Sequence, residues 1–190
     1  MKKYLIILFY LFEKHLLKIK LGFSSVVKYP FVIWNKECLE ISKNVFISEG
    51  SFFAISPQGN EAKVKIGDNT TIGKNFFVAA VKKVEIGKDV LISNNVFITD
   101  HNHSFNQFDK PIIQQGLEYK GSVIIGDGSF IGINSVILPG VKIGKNACIG
   151  ASSVVTKDVP DYAVLVGNPG KIIKYYDKKE KKWVSKNNKN

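Results

Sequence analysis

The sequence predicts an all-β protein, a parallel β-solenoid wound into a prism, and three observations predict it. Thirteen six-residue units open with a β-branched residue: Ile41, Ile47, Ile66, Ile72, Val78, Ile86, Ile92, Ile125, Ile131, Ile137, Ile143, Ile149 and Val155. Three residues after the opener stands Asn, Asp or Gly in eleven of the thirteen units, Val81 and Ser152 being the exceptions. One residue further on is Val, Ser, Thr or Ala in all units but two, which carry Phe76 and Lys82. A period of six matches neither the 3.6 of a helix nor the alternation of a sandwich strand, and a sandwich has no reason to hold one phase so long.

Each position has a physical task. The opener favours extended backbone and fills an interior line. Asn, Asp and Gly tolerate the left-handed conformation that a tight bend between flat strands requires. The small residue after them fits a narrow interior. Coils stacked about 4.8 Å apart make roughly six coils into a column roughly 30 Å tall.

Composition narrows the function. The chain has 190 residues, 45% of them hydrophobic, which is enough core for one domain. Cys38 and Cys148 are its two cysteines, too few for a disulfide framework or a four-cysteine zinc site, and free thiols fit a reducing cytoplasm. The net charge is +11, with lysines dense at both ends. That balance favours anionic ligands such as a phosphorylated cofactor, a sugar nucleotide or an anionic membrane surface. With no arginine-rich segment or nucleic-acid module, nucleic acid is not an expected partner.

The opening residues divide from the repeat. An apolar run over 4–12 follows Lys2 and Lys3; it is too short to span a bilayer and lacks a cleavage pattern for a signal peptide. Extended to Ile19 it predicts a helix. Two roles stay open for it: capping the first coil or packing on a partner subunit, or lying in the membrane interface as a peripheral contact. The expected organisation is a helix and capping segment over 1–40, a repeat domain over 41–172, and a basic tail over 173–190.

The period breaks briefly at 54–65 and 83–85, and at length from His101 to Ser122, so 101–122 is expected as a loop ejected from the column. A loop that long without its own period is usually functional. His101 and His103 sit at its root beside Asp100 and Asn102. Two histidines and scattered carboxylates do not make a three-ligand zinc site, so no metal is expected. No serine or cysteine has an evident base partner for covalent catalysis. What remains is imidazole as a general base, able to take a proton near neutral pH.

The repeat, the segment ITDHNH (98–103) and the closing run IGASSVVTKDVPDYAVLVGNPGKIIK (149–174) together resemble the hexapeptide-repeat acetyltransferases. The chain is most similar to the maltose and galactoside type and to relatives that O-acetylate capsule and lipopolysaccharide sugars. The resemblance implies a left-handed β-helix, a hand that the usual right-handed crossover rule would not give. It also implies a homotrimer with three active sites, each between two columns, and acetyl-CoA as co-substrate. His101 matches the catalytic base. His103, the runner-up for the base, lies nearer the acceptor side in the match; Asp100, preceding the base, either orients it or touches the acceptor; and Asn95 lines the same cleft in relatives, although it also reads as an ordinary left-handed corner. The donor side is matched by Ile133, whose backbone N–H meets the thioester region in relatives, and by Ala151, Thr156 and Lys157. Lys171 and Lys174 stand where relatives commonly have arginine near the phosphates, so the bidentate fork is lost. Ala79 and its neighbours (FFVAAV, 76–81) occupy a stretch where galactoside-type relatives carry a polar sugar contact, which argues against a simple galactoside or maltose acceptor.

The implied activity is O-acetylation of a sugar hydroxyl in cell-surface polysaccharide synthesis. The alternative acceptor is the amine of an amino sugar nucleotide, disfavoured because such enzymes often carry an added N-terminal domain for which forty leading residues leave no room. A non-catalytic scaffold and a γ-carbonic-anhydrase-like zinc enzyme are the remaining rivals.

Overall fold

The computed structural model describes residues 19–58 and 62–186. The predicted N-terminal helix lies outside these residues, apart from Ile19, which is buried at the top of the column. Among the described residues no helix is long and apolar enough to cross a membrane.

The chain winds through three sheets in turn. Sheet A has six parallel strands, from Lys20–Leu21 and Leu39–Ile41 to Lys142–Ile143. Sheet C also has six, from Phe31–Trp34 to Val154–Val155. Sheet B starts with Val26–Val27 and reaches nine strands, because Ala163–Val166 is followed by antiparallel Lys171–Asp177 and Lys182–Ser185. Identical repeat positions stack: Ile86 pairs with Ile66 and Ile125, and Ile131 with Ile92 and Ile149. Every opener from Ile41 to Val155 is buried, so the interior is a column of branched side chains.

The column begins one coil earlier than the expected boundary at residue 41. Leu21, Val27 and Ile33 are six apart and open its first coil, but Ser24 replaces Asn or Gly at the first corner and Pro30 at the second. At the other end, the tail expected from residue 173 is largely strand, pairing across Tyr175–Val184 and Tyr176–Trp183. A solenoid leaves its terminal sheet edge unpaired, and this antiparallel hairpin covers sheet B at that end.

The corners follow the sequence rule with two instructive departures. Ten of the eleven predicted Asn, Asp and Gly corners have positive φ, and so does Ser152 at +56°, one of the two exceptions. Asp158 does not; its Oδ1 instead accepts the Lys142 N–H at 2.8 Å. The small residues inside the corners are often buried hydroxyls that close the polar account. Ser129 Oγ donates to the carbonyls of Gly126 and Gly144, and Thr70 Oγ1 to that of Gly87. Phe76, the large exception, is fully buried edge-on against Phe53.

The three outer faces differ in chemistry. Along sheet A, Lys20, Glu40, Lys65 and Glu85 alternate in register, with Glu40 bonded to Lys63 at 3.0 Å. Sheet C presents Val32, Phe52, Phe77, Phe97, Val136 and Val154 in one register line. Phe52 and Phe77 stack at 5.0 Å, Phe97 follows at 5.0 Å, and Trp34 stands edge-on to Phe52.

Candidate active site

The repeat's irregularities at Val81 and Lys82, and the small break after them, serve one residue. Asp100 is fully buried, and its carboxylate accepts three successive backbone N–H groups: Val81 at 2.9 Å, Lys82 at 2.8 Å and Lys83 at 2.7 Å. A regular corner could not turn three donors toward one point. The fourth donor is His101 Nδ1, 2.9 Å from Asp100 Oδ1. Burial pushes the Asp100 carboxyl up, but the hydrogen bonds from His101 and the three amides outweigh it and hold the group below its ordinary value. An ionised carboxylate only accepts, so Nδ1 carries a proton, and it is Nε2 that has the lone pair in the neutral ring. Nε2 has no protein partner among the described residues, and the ring retains 12% side-chain exposure.

The backbone around the ring is pinned as well. Thr99 Oγ1 donates to the His101 carbonyl at 3.0 Å. His101–His103 then leaves the column and pairs antiparallel with Leu117–Tyr119, so the ejected segment is a two-stranded arm. Gln58 holds the arm through the Leu117 carbonyl, Lys82 lies over the Tyr119 ring, and Lys120 N–H returns to the Asp100 carbonyl. Its tip exposes Phe105, Phe108 and Ile113. His103 is exposed on the arm, two residues along the strand from His101.

Of the two roles open to Asp100, the geometry fits orienting the base, and Asn95 falls away from the base. Asp100 cannot touch a substrate directly, since its carboxylate has no exposed surface and four donors already. Asn95 does not stand beside His101 within the chain. Its φ is +58° and its amide joins a corner ladder, accepting from Asn75 and donating to Asn134, at 3.0 Å each, where sheets B and C meet.

The donor-side residues sort onto the two edges of sheet C. Ile133 and Ala151 stack at the corner between sheets B and C, so closely that a Cβ on Gly132 would lie 2.6 Å from the Ala151 nitrogen. At this corner one coil earlier an amide side chain accepts the N–H of the coil above: Asn94 Oδ1 takes that of Lys74 at 2.8 Å. Ile133 and Ala151 carry no such acceptor. The N–H groups of Asn94 and Ile133 therefore have no partner among the described residues, and Asn94 is a candidate donor that the sequence reading missed.

Thr156 and Lys157 sit at the opposite edge, between sheets C and A, on the His101 side. They join Lys171 and Lys174 around a cleft of about 830 Å³ at the lower end of the column. The two edges are separated by six residues of sheet C, up to about 20 Å of extended chain. One chain therefore does not bring His101 to Ile133. Among the described residues no three His, Cys, Asp or Glu side chains converge on a metal-sized site.

Comparison with known proteins decides the family. The model for bacterial transferase hexapeptide (six repeats) matches residues 122–157, and that for the hexapeptide repeat of succinyl-transferase matches 63–100. A putative lipopolysaccharide biosynthesis O-acetyl transferase of Escherichia coli K12 is 33% identical over 165 residues, covering 83% of this chain and 82% of the relative. The chain belongs to the hexapeptide-repeat acetyltransferase family. It is an acetyltransferase, and its fold is the left-handed parallel β-helix.

Other members of the family are similar too. Galactoside O-acetyltransferase of Escherichia coli K12 is 35% identical, over 63% of this chain and 61% of its own length. A Vibrio cholerae hexapeptide-repeat acetyltransferase, solved with acetyl coenzyme A, superposes with TM-score 0.64 at 25% identity, covering 88% of this chain and 76% of that one. An N-acyltransferase from Bacillus cereus, solved with dTDP and coenzyme A, gives TM-score 0.70 at 25% identity. This chain covers 91% of that N-acyltransferase, so the room before the repeat does not separate hydroxyl from amine acceptors.

Proposed function

We propose that the protein transfers acetyl from acetyl-CoA to a sugar hydroxyl of a cell-surface glycan, with His101 as general base. Acetyl-CoA is the donor of the reaction. The observation that carries the reading is the Asp100–His101 pair, in which a buried carboxylate fixes the tautomer and leaves Nε2 open beside the arm. His101 Nε2 takes the hydroxyl proton as the oxygen attacks the thioester carbonyl. The C–S bond breaks, and the proton passes from His101 to the departing thiolate. General-base assistance is worth about 10²–10⁴-fold. The Ile133 N–H, with that of Asn94 beside it, is the fixed donor toward the developing oxyanion.

The site is completed by assembly. In a cyclic trimer with sheet C facing the axis, one protomer's sheet B–C edge adjoins its neighbour's sheet C–A edge. That arrangement buries the Phe52–Phe77–Phe97 line, leaves the charged face of sheet A in water, and brings His101 of one protomer toward Ile133 and Ala151 of the next. It also gives the apolar tip of the arm a neighbour to cover. The O-acetyl transferase relatives support a hydroxyl acceptor. The N-acyltransferase superposition supports an amine on a nucleotide-linked sugar as the second reading, with the same base and donor groove.

The test is coenzyme-A release from acetyl-CoA over a panel of sugar nucleotides bearing hydroxyl or amine, lipid-linked sugars, disaccharides and polysaccharides. Turnover on a glycan hydroxyl supports the proposal. Turnover confined to amino sugars replaces it with the second reading.

A further inference from the structure

The side chain of Lys82 has a task beyond the contact to Asp100. That contact uses only its backbone N–H, which any residue but proline supplies, yet the unit replaces the small residue of the repeat with a lysine. The chain reaches the arm instead, where its ammonium lies 4.8 Å from the centroid of the Tyr119 ring. Tyr119 is half-buried, and its hydroxyl is bonded to Ser122 Oγ at 2.8 Å. Tyr119 is also the register partner of His101 across the arm. The Lys120 N–H donates to the Asp100 carbonyl and the Ser104 N–H to that of Gly116, which fixes the alternation of the ladder. His101–Tyr119 is thereby a non-hydrogen-bonded pair, the kind whose Cα atoms approach to about 4.5 Å and whose side chains stand closest. Because side chains alternate along a strand, His101, His103, Leu117 and Tyr119 share one face of the arm, and Asn102 and Glu118 the other.

We infer that Tyr119 is a positioning residue for His101, held in place by Lys82 and Ser122. The inference rests on the reading of His101 as the base. Asp100, His101, Tyr119 and Lys82 form a closed circuit: Asp100 Oδ1 meets His101 Nδ1 at 2.9 Å, Asp100 Oδ2 accepts the Lys82 N–H at 2.8 Å, Lys82 covers Tyr119, and Tyr119 stands across from His101. The hydrogen bond at Nδ1 fixes the tautomer and one atom of the imidazole, but the ring plane can still rock about that contact and sweep Nε2 with it. An aromatic wall on the neighbouring strand restricts the rocking. A base works only with Nε2 in hydrogen-bond reach of the acceptor hydroxyl, and a misplacement of about 1 Å can cost about 10²-fold.

Carbon-13 relaxation at the histidine Cε1 of the intact labelled protein tests this without substrate. The His101 ring is expected to be rigid in the wild type, with an order parameter near about 0.85, and to fall to about 0.6 or less in Tyr119→Leu. Tyr119→Phe, which keeps the ring, should restore the rigid value. Leu117→Ala removes the other apolar side chain of the same face and should leave the His101 ring unchanged. Should Tyr119→Leu melt the arm, Lys82→Ser decides, since it keeps the amide contact and the strand pair and should loosen the ring in the same direction. In coenzyme-A release, kcat should fall about tenfold in Tyr119→Leu, with KM for acetyl-CoA within about twofold and Tyr119→Phe close to wild type. A His101 ring as ordered in Tyr119→Leu as in the wild type, or loosened equally by Leu117→Ala, overturns the inference and leaves His101 as the base. Full turnover in His101→Ala overturns the base reading and the inference with it.

Discussion

Asp100 and His101, adjacent in sequence, are joined at 2.9 Å between carboxylate Oδ1 and ring Nδ1, and the carboxylate is held in turn by the N–H groups of Val81, Lys82 and Lys83. The contact ties the edge of the column to the root of the arm. His101→Ala should reduce kcat by about 10²–10⁴-fold while the melting temperature and sedimentation of the assembly stay put. Near-full activity in that variant, with His103→Ala inactive, would move the base to His103.

Replacing the carboxylate should separate positioning from folding. Asp100→Asn presents an NH₂ where a donor already points, so the ring loses its fixed tautomer and kcat should fall by about 10²-fold or more, with the Kd for coenzyme A unchanged. Asp100→Ala strands three buried amides and should cost about 3 kcal/mol or more in urea unfolding. An Asn variant with wild-type turnover would reduce the contact to a structural one.

The same carboxylate gives a pH signature. Its folded pKa lies below its ordinary value, so the unfolded chain takes up the proton first as pH falls. Its contribution is complete above about pH 4, the ordinary aspartate value, and fades below it. The stability gap between wild type and Asp100→Asn should therefore be constant from pH 7 to about 5 and narrow below about 4. A gap that widens on acidification would contradict the assignment.

A site shared between protomers predicts complementation. His101→Ala supplies an intact Ile133–Ala151 edge, and Ala151→Trp supplies an intact His101 edge. Unfolded together and co-refolded in equal amounts, the two inactive variants should recover about a quarter of wild-type activity, the share of interfaces with two intact edges under random assortment around a ring. Phe77→Asp should abolish the assembly in sedimentation and the activity with it. Failure of both tests would place the whole site in one chain.

Asn95 separates corner from contact. Asn95→Gly keeps the left-handed turn and should remain within about 1 kcal/mol of wild type, whereas Asn95→Ala should lose about 1–2 kcal/mol. Activity should follow stability in both. A stable Asn95→Gly with raised KM for the acceptor would return the side chain to the site.

Much of this was legible because a solenoid makes tertiary neighbours of residues at equal repeat positions. Ile86 meets Ile66 and Ile125 for no reason beyond the period, so the core, the corners and the ejected arm could be read from the letters. Ser24 and Pro30 hid the first coil because a corner can be built without Asn or Gly. The closing hairpin was hidden because an antiparallel return has no period, and nothing local says that a chain end folds back on the sheet.

The sequence by itself determined the six-residue column, the break at 101–122 and the histidine at its root, since backbone preference and branched packing act over neighbouring residues. Only the tertiary structure decided that Val81–Lys83 cradle Asp100 and that His101 and Ile133 stand on opposite edges of one sheet. It also decided that sheet C is apolar where sheet A is charged. These are matters of which coil faces which, and they depend on how many residues each break inserts between coils.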